Sequence, residues 1–124
     1  MNDRLKFRAK RIDNNKFVYG YLCFIYIDNE KHCKIYSPDD AMSYDCYTET
    51  LGQCTGFKDR NGKLIYEGDW IKDKDGYIAH IVWFNGAWWL KSEPSQAMDR
   101  ENEETYAEFE VIGNIHENKE LLDV

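Results

Sequence analysis

Short β-prone segments alternate with glycine-containing turns through the second half of this chain of 124 residues, and this spacing restricts its fold more than any other feature. Asn61-Gly62, Asp75-Gly76 and Asn85-Gly86 each separate two runs rich in β-branched and aromatic residues. Asn-Gly and Asp-Gly supply the positive φ angles that a tight hairpin turn needs. Residues 55–91 are therefore predicted to form a β-meander.

A meander of such short strands must close or cover its edges. One economical solution is a small five-stranded barrel of the SH3-like kind, with residues 109–115 as the closing strand. Residues 93–108 are polar and acidic, and they predict either a short helix that starts near Pro94 and Ser95 or a loop. We assign residues 51–124 to a barrel region and residues 1–50 to an N-terminal β-hairpin region, or both to one continuous domain.

Two β-prone runs near the N-terminus, residues 7–12 and 17–27, flank Asp13-Asn14-Asn15 and predict a hairpin. Gly20 inside the second run predicts a bulge. A short strand is predicted over residues 32–36. Ser37-Pro38 followed by two aspartates is typical of a helix start, so one helical turn through Tyr44 is predicted.

The charge is uneven along the chain. Six basic residues lie between Arg4 and Lys16, whereas ten acidic residues lie from Glu93 onward. The formal net charge of −7 opposes nonspecific binding to polyanions, because such binding needs Lys and Arg to neutralise phosphates. We interpret the N-terminal cations as a basic strand that pairs with an acidic one, with a basic ligand site as the alternative.

The chain has no apolar run long enough for a membrane span and no apolar signal region near its N-terminus, so we expect a cytoplasmic protein that does not enter membranes. No Cys-x-x-Cys pair occurs, which argues against a zinc knuckle or a redox motif. In a reducing compartment the four cysteines are expected to be free thiols that pack as small apolar groups. They are Cys23, Cys33, Cys46 and Cys54.

Residues 51–69, LGQCTGFKDRNGKLIYEGD, resemble the central signature of the YopX family, which is found in phages and prophages of low-GC Gram-positive bacteria. Residues 5–12 with 18–21 are similar to the start of that family, and residues 109–118 are similar to its end. Cys54 and Phe57 stand where the family more often has tyrosine and leucine. The resemblance implies a mostly β protein with an SH3-like barrel, in agreement with the meander, and it implies no activity, cofactor or catalytic residue.

The signature contains turn-forming positions and three cations. Gly62 and Gly68 supply turn conformations, and Asp59 and Asp69 are expected to accept hydrogen bonds from turn amides. The alternative is a ligand contact, because loops on rigid β scaffolds often bind. The turn-forming set is Gly56, Asp59, Asn61, Gly62, Gly68 and Asp69, and the cations that would make the contact are Lys58, Arg60 and Lys63.

Aromatic residues cluster between residues 70 and 89 and include Trp70, Trp83, Trp88 and Trp89. Strand alternation puts Trp88 and Trp89 on opposite faces, so at least one of them should be partly exposed. The cluster predicts either an interface surface or a platform that stacks bases or holds a proline-rich peptide. We take Trp83, Trp88 and Trp89 as candidate binding residues.

The sequence carries no nucleophile elbow, phosphate loop or His-Glu-x-x-His, and its three histidines lack metal-ligand spacing. We therefore expect neither an enzyme nor a bound cofactor or metal. The predicted function is binding, to another protein or to a second copy, through exposed aromatics and the acidic C-terminal segment. The alternative is nucleic-acid binding, in which the basic N-terminal strand and the signature cations follow a backbone while a tryptophan stacks on a base.

Overall fold

The computed structural model describes residues 3–92, 95 and 97–118 and has a mainly antiparallel β fold, which confirms the predicted fold class. The chain divides into two compact units, Met1–Cys54 and Thr55–Val124. None of the helices in the described part is long and apolar enough to cross a membrane.

The first unit contains β1 (Phe7–Lys10), β2 (Phe17–Ile27), β3 (Glu30–Ser37) and β4 (Met42–Cys46), with short 3₁₀ turns at Asp3–Leu5 and Thr48–Thr50. The strand β5 (Gly52–Lys58) begins in this unit and ends in the second. The second unit continues with β6 (Leu64–Tyr66), β7 (Asp69–Lys72), β8 (Ile78–Phe84), β9 (Ala87–Lys91), β10 (Met98–Asp99), the helix α1 (Glu103–Tyr106) and β11 (Glu110–Asn114).

The first unit is built on the predicted N-terminal hairpin. β1 pairs with β2, β2 with β3 and β3 with β4, all antiparallel, and the start of β5 pairs with β1. Arg11, just after β1, bridges Cys46 at the end of β4. The inward side chains form an apolar core of small and β-branched residues: Ala9, Val18, Cys33, Ile35 and Cys46.

Gly20 does not form the predicted bulge. It pairs in regular register with Phe7, and the next residue, Tyr21, pairs with Tyr36. A Cβ atom at position 20 would lie 1.9 Å from the carbonyl oxygen of Tyr36. Glycine is required here because the backbone of β3 approaches too closely for any side chain.

The helical turn predicted from Ser37 through Tyr44 is wrong, because this segment turns directly into β4. Ala41 adopts a positive φ of 58°, and the Asp40 carboxylate accepts a hydrogen bond from the Met42 amide at 3.2 Å. The aspartate that suggested a helix cap instead stabilises a tight turn between β3 and β4.

The second unit contains the predicted meander. Its five-stranded sheet has the order β10-β9-β8-β7-β11, and β11, the predicted closing strand, pairs with β7. The core beneath the sheet is apolar and includes two aromatic side chains: Ile65, Ile71, Ala79, Ile81, Leu90, Tyr106 and Phe109. Burial raises the pKa of the Tyr106 hydroxyl to about 12.

A short helix does lie between β10 and β11, but it begins at Glu103. Its N-cap is Asn102, whose side-chain oxygen accepts a hydrogen bond from the Thr105 amide at 2.8 Å. The start predicted near Pro94 and Ser95 is therefore misplaced, and Pro94 itself lies outside the described residues. Asn102 offers a better cap because two glutamates follow it in the first turn.

Candidate functional site

The most exposed large aromatic side chains of the second unit lie at the end of the β8–β9 hairpin. Asn85 and Gly86 both have positive φ, 51° and 76°, so the chain reverses within two residues and the strands stay paired up to the turn. We call Trp83, Phe84, Trp88 and Trp89 the aromatic tip.

The aromatic tip has two faces. Trp83 pairs across the strands with Trp88, and their rings meet edge to face with centroids 4.7 Å apart. Phe84 and Trp89 meet in the same way at 6.4 Å. Because neighbouring residues on a strand point to opposite faces, one aromatic pair covers each side of the hairpin.

The tip is exposed although its base is anchored. Trp88 packs against the core of the second unit, and the Trp89 indole donates a hydrogen bond to the Phe84 carbonyl at 2.8 Å. The Arg100 guanidinium lies 5.7 Å from the centre of the Trp89 ring. Trp83 and Phe84, by contrast, are 52% and 53% exposed. The result is a preformed apolar surface whose rings are already held in place.

The predicted aromatic cluster is thus divided by the structure. Trp70 is only 1% exposed and packs its ring against His80, with centroids 4.8 Å apart, so it belongs to the interior. Tyr77 is partly buried against the core. Phe84, which was counted in the cluster but not as a binding residue, is among the most exposed. Its place beside Asn85-Gly86 was the available signal, because residues next to a hairpin turn extend beyond the core.

The signature segment contains a buried carboxylate at the β5–β6 turn. Asp59 is 4% exposed, and one of its oxygens accepts hydrogen bonds from the amides of Asn61 and Lys63, both at 2.9 Å. Its other oxygen accepts a hydrogen bond from the Val111 amide at 3.0 Å, which ties the turn to β11. Gly62 completes the turn with a φ of 79°.

The second turn of the signature is built in a similar way. Asp69 is 2% exposed and accepts a hydrogen bond from the Tyr66 amide at 2.8 Å. Gly68 has a φ of 89° and donates its amide proton to the Ile81 carbonyl. Gly56 has a φ of 86° within β5. The signature residues therefore hold backbone conformations, as the turn interpretation predicts.

The three candidate cations of the signature do not form one basic patch with the aromatic tip. Lys58 and Lys63 are exposed on either side of the turn, and Arg60 pairs with Glu110 at 2.6 Å. The Arg60 guanidinium lowers the pKa of the Glu110 carboxyl. Within the described residues, no hydrogen bond, ion pair or ring contact joins these cations to the aromatic tip.

Of the six N-terminal cations, Arg8 and Lys10 are buried, whereas Arg4 and Lys16 are exposed. β1 does not pair with an acidic strand as predicted. Its partners are β2 and β5. Arg8 and Lys10 are 4% and 9% exposed, and both cations lie over the Phe17 ring, at 4.7 Å and 5.6 Å from its centre. Arg11 pairs with Asp13 at 2.6 Å. Aromatic faces and nearby aspartates take the place of the expected acidic strand.

Three of the cysteines pack as apolar residues, as expected. Cys33, Cys46 and Cys54 are buried thiols outside any disulfide, whereas Cys23 is an exposed thiol. Burial raises the pKa of the Cys46 thiol to about 11, and it raises the pKa of Cys33 as well. A buried thiol with a raised pKa is a weak nucleophile at neutral pH.

A family model described as YopX protein matches residues 6–123. Two solved structures are similar over almost their whole length. Protein EF1440 from Enterococcus faecalis is 24% identical, with a TM-score of 0.57 over 94% of this chain and 96% of that chain. Protein yopX from Bacillus subtilis is 20% identical, with a TM-score of 0.56 over 98% of this chain and 99% of that chain. No curated protein matches this sequence.

Proposed function

We propose that this chain, which belongs to the YopX family, acts by binding another protein through the aromatic tip. The observation that carries the proposal is the pair of exposed side chains Trp83 and Phe84, which contact the rings of Trp88 and Trp89 at the end of the β8–β9 hairpin. Large aromatic rings that remain in water lose apolar exposure when a partner covers them. Such rings dominate the binding energy of many protein interfaces.

The preformed geometry also supports binding to a folded partner. Each exposed ring rests against a second ring that is partly buried, so little side-chain freedom is left to lose on association. A binding surface that is already ordered keeps more of its contact energy as affinity. The tip would fit an apolar cleft about the width of a two-stranded ribbon.

The acidic segment that follows β10 is a second part of the proposed binding surface. Glu101, Glu103, Glu104 and Glu108 are exposed on the segment that follows β10. Complementary charge on a partner would be basic, and such complementarity mainly raises the association rate and the specificity. The proposed partner is therefore a protein with an apolar pocket for the aromatic tip and Lys or Arg side chains for the acidic segment.

Nucleic-acid binding is the second candidate, and the exposed Trp83 with Lys58 and Lys63 favours it. The withdrawal of Arg8 and Lys10 into contacts with Phe17 weighs against it, because a basic strand must reach phosphates to bind them. The net charge of −7 would also repel a polyanion. Binding to a protein is compatible with both the buried cations of β1 and the negative charge of the chain.

The resemblance to phage and prophage proteins suggests an accessory role in an infected or lysogenic bacterium, with a bacterial protein in the cytoplasm as the partner. We include both the phage origin and the cytoplasmic location in the proposal. B. subtilis, the source of a structurally similar protein, offers a convenient lysate for the first test.

The test compares affinity purifications made with the wild-type chain, with Trp83→Ser and with Ile12→Ser. Ile12 is a matched control, since it is also 52% exposed but lies in the first unit. We expect a protein retained by the wild type and by Ile12→Ser to be lost with Trp83→Ser. Retained proteins that do not change with Trp83→Ser would contradict the proposal.

A parallel titration of labelled DNA and RNA from low to physiological salt separates the two candidates. Binding that weakens with salt and quenches tryptophan fluorescence would replace protein binding with the nucleic-acid alternative. We expect no such binding even at low salt.

A further inference from the structure

The outer end of β2 is apolar on both faces, which is unusual for a strand in water. All five residues of the segment 23–27 are exposed. Tyr26 is 69% exposed, Ile27 49%, and Phe24 and Ile25 are both 38% exposed. Because alternate residues point to opposite sides of the sheet, neither face of this segment is covered by a core.

One edge of the same segment has no strand beside it. β3 pairs with β2 from Tyr21 to Ile27 on one side. On the other side β1 pairs only as far as Gly20. Within the described part of the chain, the backbone groups of residues 23–27 that point away from β3 therefore face no strand. They form a free edge about 15 to 20 Å long at the rise of a β-strand.

Other sheet edges in this chain carry the devices that prevent strand addition, and this one does not. The outer side of β4 is covered by residues 11 and 12, since the Ile12 amide donates to the Asp45 carbonyl at 2.9 Å. The edge strands β6 and β10 have only three and two residues, and β11 shifts register between Val111 and Gly113. The register of β2 with β3 is regular through seven pairs, without a bulge, a proline or a charge on β2. Short, covered or bulged edges resist pairing, and long regular apolar edges promote it.

We propose that residues 23–27 of β2 pair, antiparallel, with the same residues of a second copy of this chain. A two-fold axis through the segment makes the edge self-complementary, because each copy then offers the same row of amide and carbonyl groups to the other. The sheets of the two copies would then join through β2 into one continuous sheet. This surface lies in the first unit and is independent of the aromatic tip.

Charge favours a second copy over a different partner. The whole chain carries a net charge of −7, so most parts of its surface would repel a copy of themselves. β2 carries no charged side chain over its eleven residues, so pairing β2 with β2 places no like charges in opposition. The cations that pair opposite the segment, Lys31 and Lys34, belong to β3, on the side away from the free edge. Lys31 lies 4.0 Å from the centre of the Phe24 ring. Pairing an apolar strand with an identical strand satisfies the free backbone groups of both and brings their apolar side chains into cross-strand contact.

The test measures association of the full chain by sedimentation velocity, from low to high micromolar concentration, with Tyr26→Lys and Met42→Lys. Because residue 25 lies on the two-fold axis, Tyr26→Lys places a cation opposite the apolar Phe24 of the second copy and diagonal to the same cation on the other strand. Met42 is a matched control because it is 53% exposed in the same unit but lies outside β2. We expect the wild type and Met42→Lys to have the same dimer dissociation constant. For Tyr26→Lys we expect a dissociation constant that is higher by roughly tenfold or more. A monomer at all concentrations, or a dimer that Tyr26→Lys leaves unchanged, would overturn the proposal.

A second measurement keeps the test independent of how well Tyr26→Lys folds. In a Cys23→Ser background, single cysteines are placed at positions 24, 25, 26 and 27 and oxidised gently. The remaining native cysteines are at most 4% exposed, so they should not react. Only the position nearest the two-fold axis faces its own copy within disulfide reach. A maximum of covalent dimer at one position, with lower yields on either side, is the expected result, whereas equal yields or none would overturn the proposed register.

Discussion

At the scale of single residues, this fold depends on carboxylates that are buried but satisfied by the backbone. Asp59 accepts hydrogen bonds from three amides, two in its own turn and one in β11. An ionised carboxylate is a strong acceptor, and buried amides left without one carry the full desolvation cost. The aspartate in the signature segment therefore has a structural role, since it holds the β5–β6 turn against β11.

Replacing Asp59 with alanine should lower the free energy of unfolding by roughly 3 to 5 kcal/mol, because three amides lose a charged acceptor. The measurement is urea unfolding followed by tryptophan fluorescence. Asp75→Ala is the control, since Asp75 is an exposed aspartate in another turn and should change stability by less than about 0.5 kcal/mol. Equal losses in the two variants would show that the Asp59 contacts contribute nothing specific.

The buried thiol of Cys46 predicts that the free energy of unfolding depends on pH in the alkaline range. Its folded pKa of about 11 lies above the reference value of 9.0, because burial disfavours the thiolate. The folded state therefore holds this proton more tightly than the unfolded state. The stabilisation is complete below about pH 9 and is lost as the pH rises towards about 11.

Between these pH values, the wild type should therefore lose more unfolding free energy than Cys46→Ala. The difference between the two losses should be at most about 3 kcal/mol. Urea unfolding at pH values below 9 and near 11 gives the comparison. Cys23→Ala is the control, because Cys23 is exposed. A Cys46→Ala variant with the same alkaline slope as the wild type would exclude this origin.

At the scale of elements, turn chemistry predicted the structure well where a turn is short and contains Asn-Gly or Asp-Gly. The strand pairings of the meander follow from such local signals. The β1–β2 hairpin follows from the related turn residues Asp13-Asn14-Asn15. Local signals failed at Gly20, because the close approach of Tyr36 comes from a strand sixteen residues away. They also failed at Asp40, because a side chain that can cap a helix can equally close a tight turn.

The candidate site was only partly predictable for the same reason. Periodicity placed Trp88 and Trp89 on opposite faces, but both are half-buried, and the more exposed rings are those of Trp83 and Phe84. Trp70 could not be separated from them by sequence, since its burial depends on packing beneath β8. The sequence alone suggested that the cations of β1 are exposed. In the structure, Arg8 and Lys10 lie over the ring of Phe17 on the paired strand β2.

Within the β8–β9 hairpin, we expect one residue to stabilise the fold and a different one to bind the partner. Leu90 is 1% exposed in the core, and Leu90→Ala should cost roughly 2 to 4 kcal/mol of unfolding free energy. Trp83→Ser should cost about 1 kcal/mol or less, because half of that side chain is already in water. Chemical unfolding of both variants checks this, and a larger loss with Trp83→Ser would mean that the tip is part of the folding core.

At the scale of the whole molecule, each compact unit carries a different exposed apolar feature. The first unit has the free edge of β2, and the second has the aromatic tip. Both features sit on an acidic chain, and two of its N-terminal cations, Arg8 and Lys10, are buried against Phe17. This combination suits association with proteins better than association with a polyanion.

Site-specific photocrosslinking tests the central claim most directly. A benzoylphenylalanine replaces Phe84, which preserves an aromatic ring at the tip, or replaces Ile12 as a control of similar exposure. After illumination in living B. subtilis, we predict a discrete covalent complex with another protein from position 84 and none from position 12. The absence of any complex at position 84, or the same products at both positions, would contradict binding through the aromatic tip.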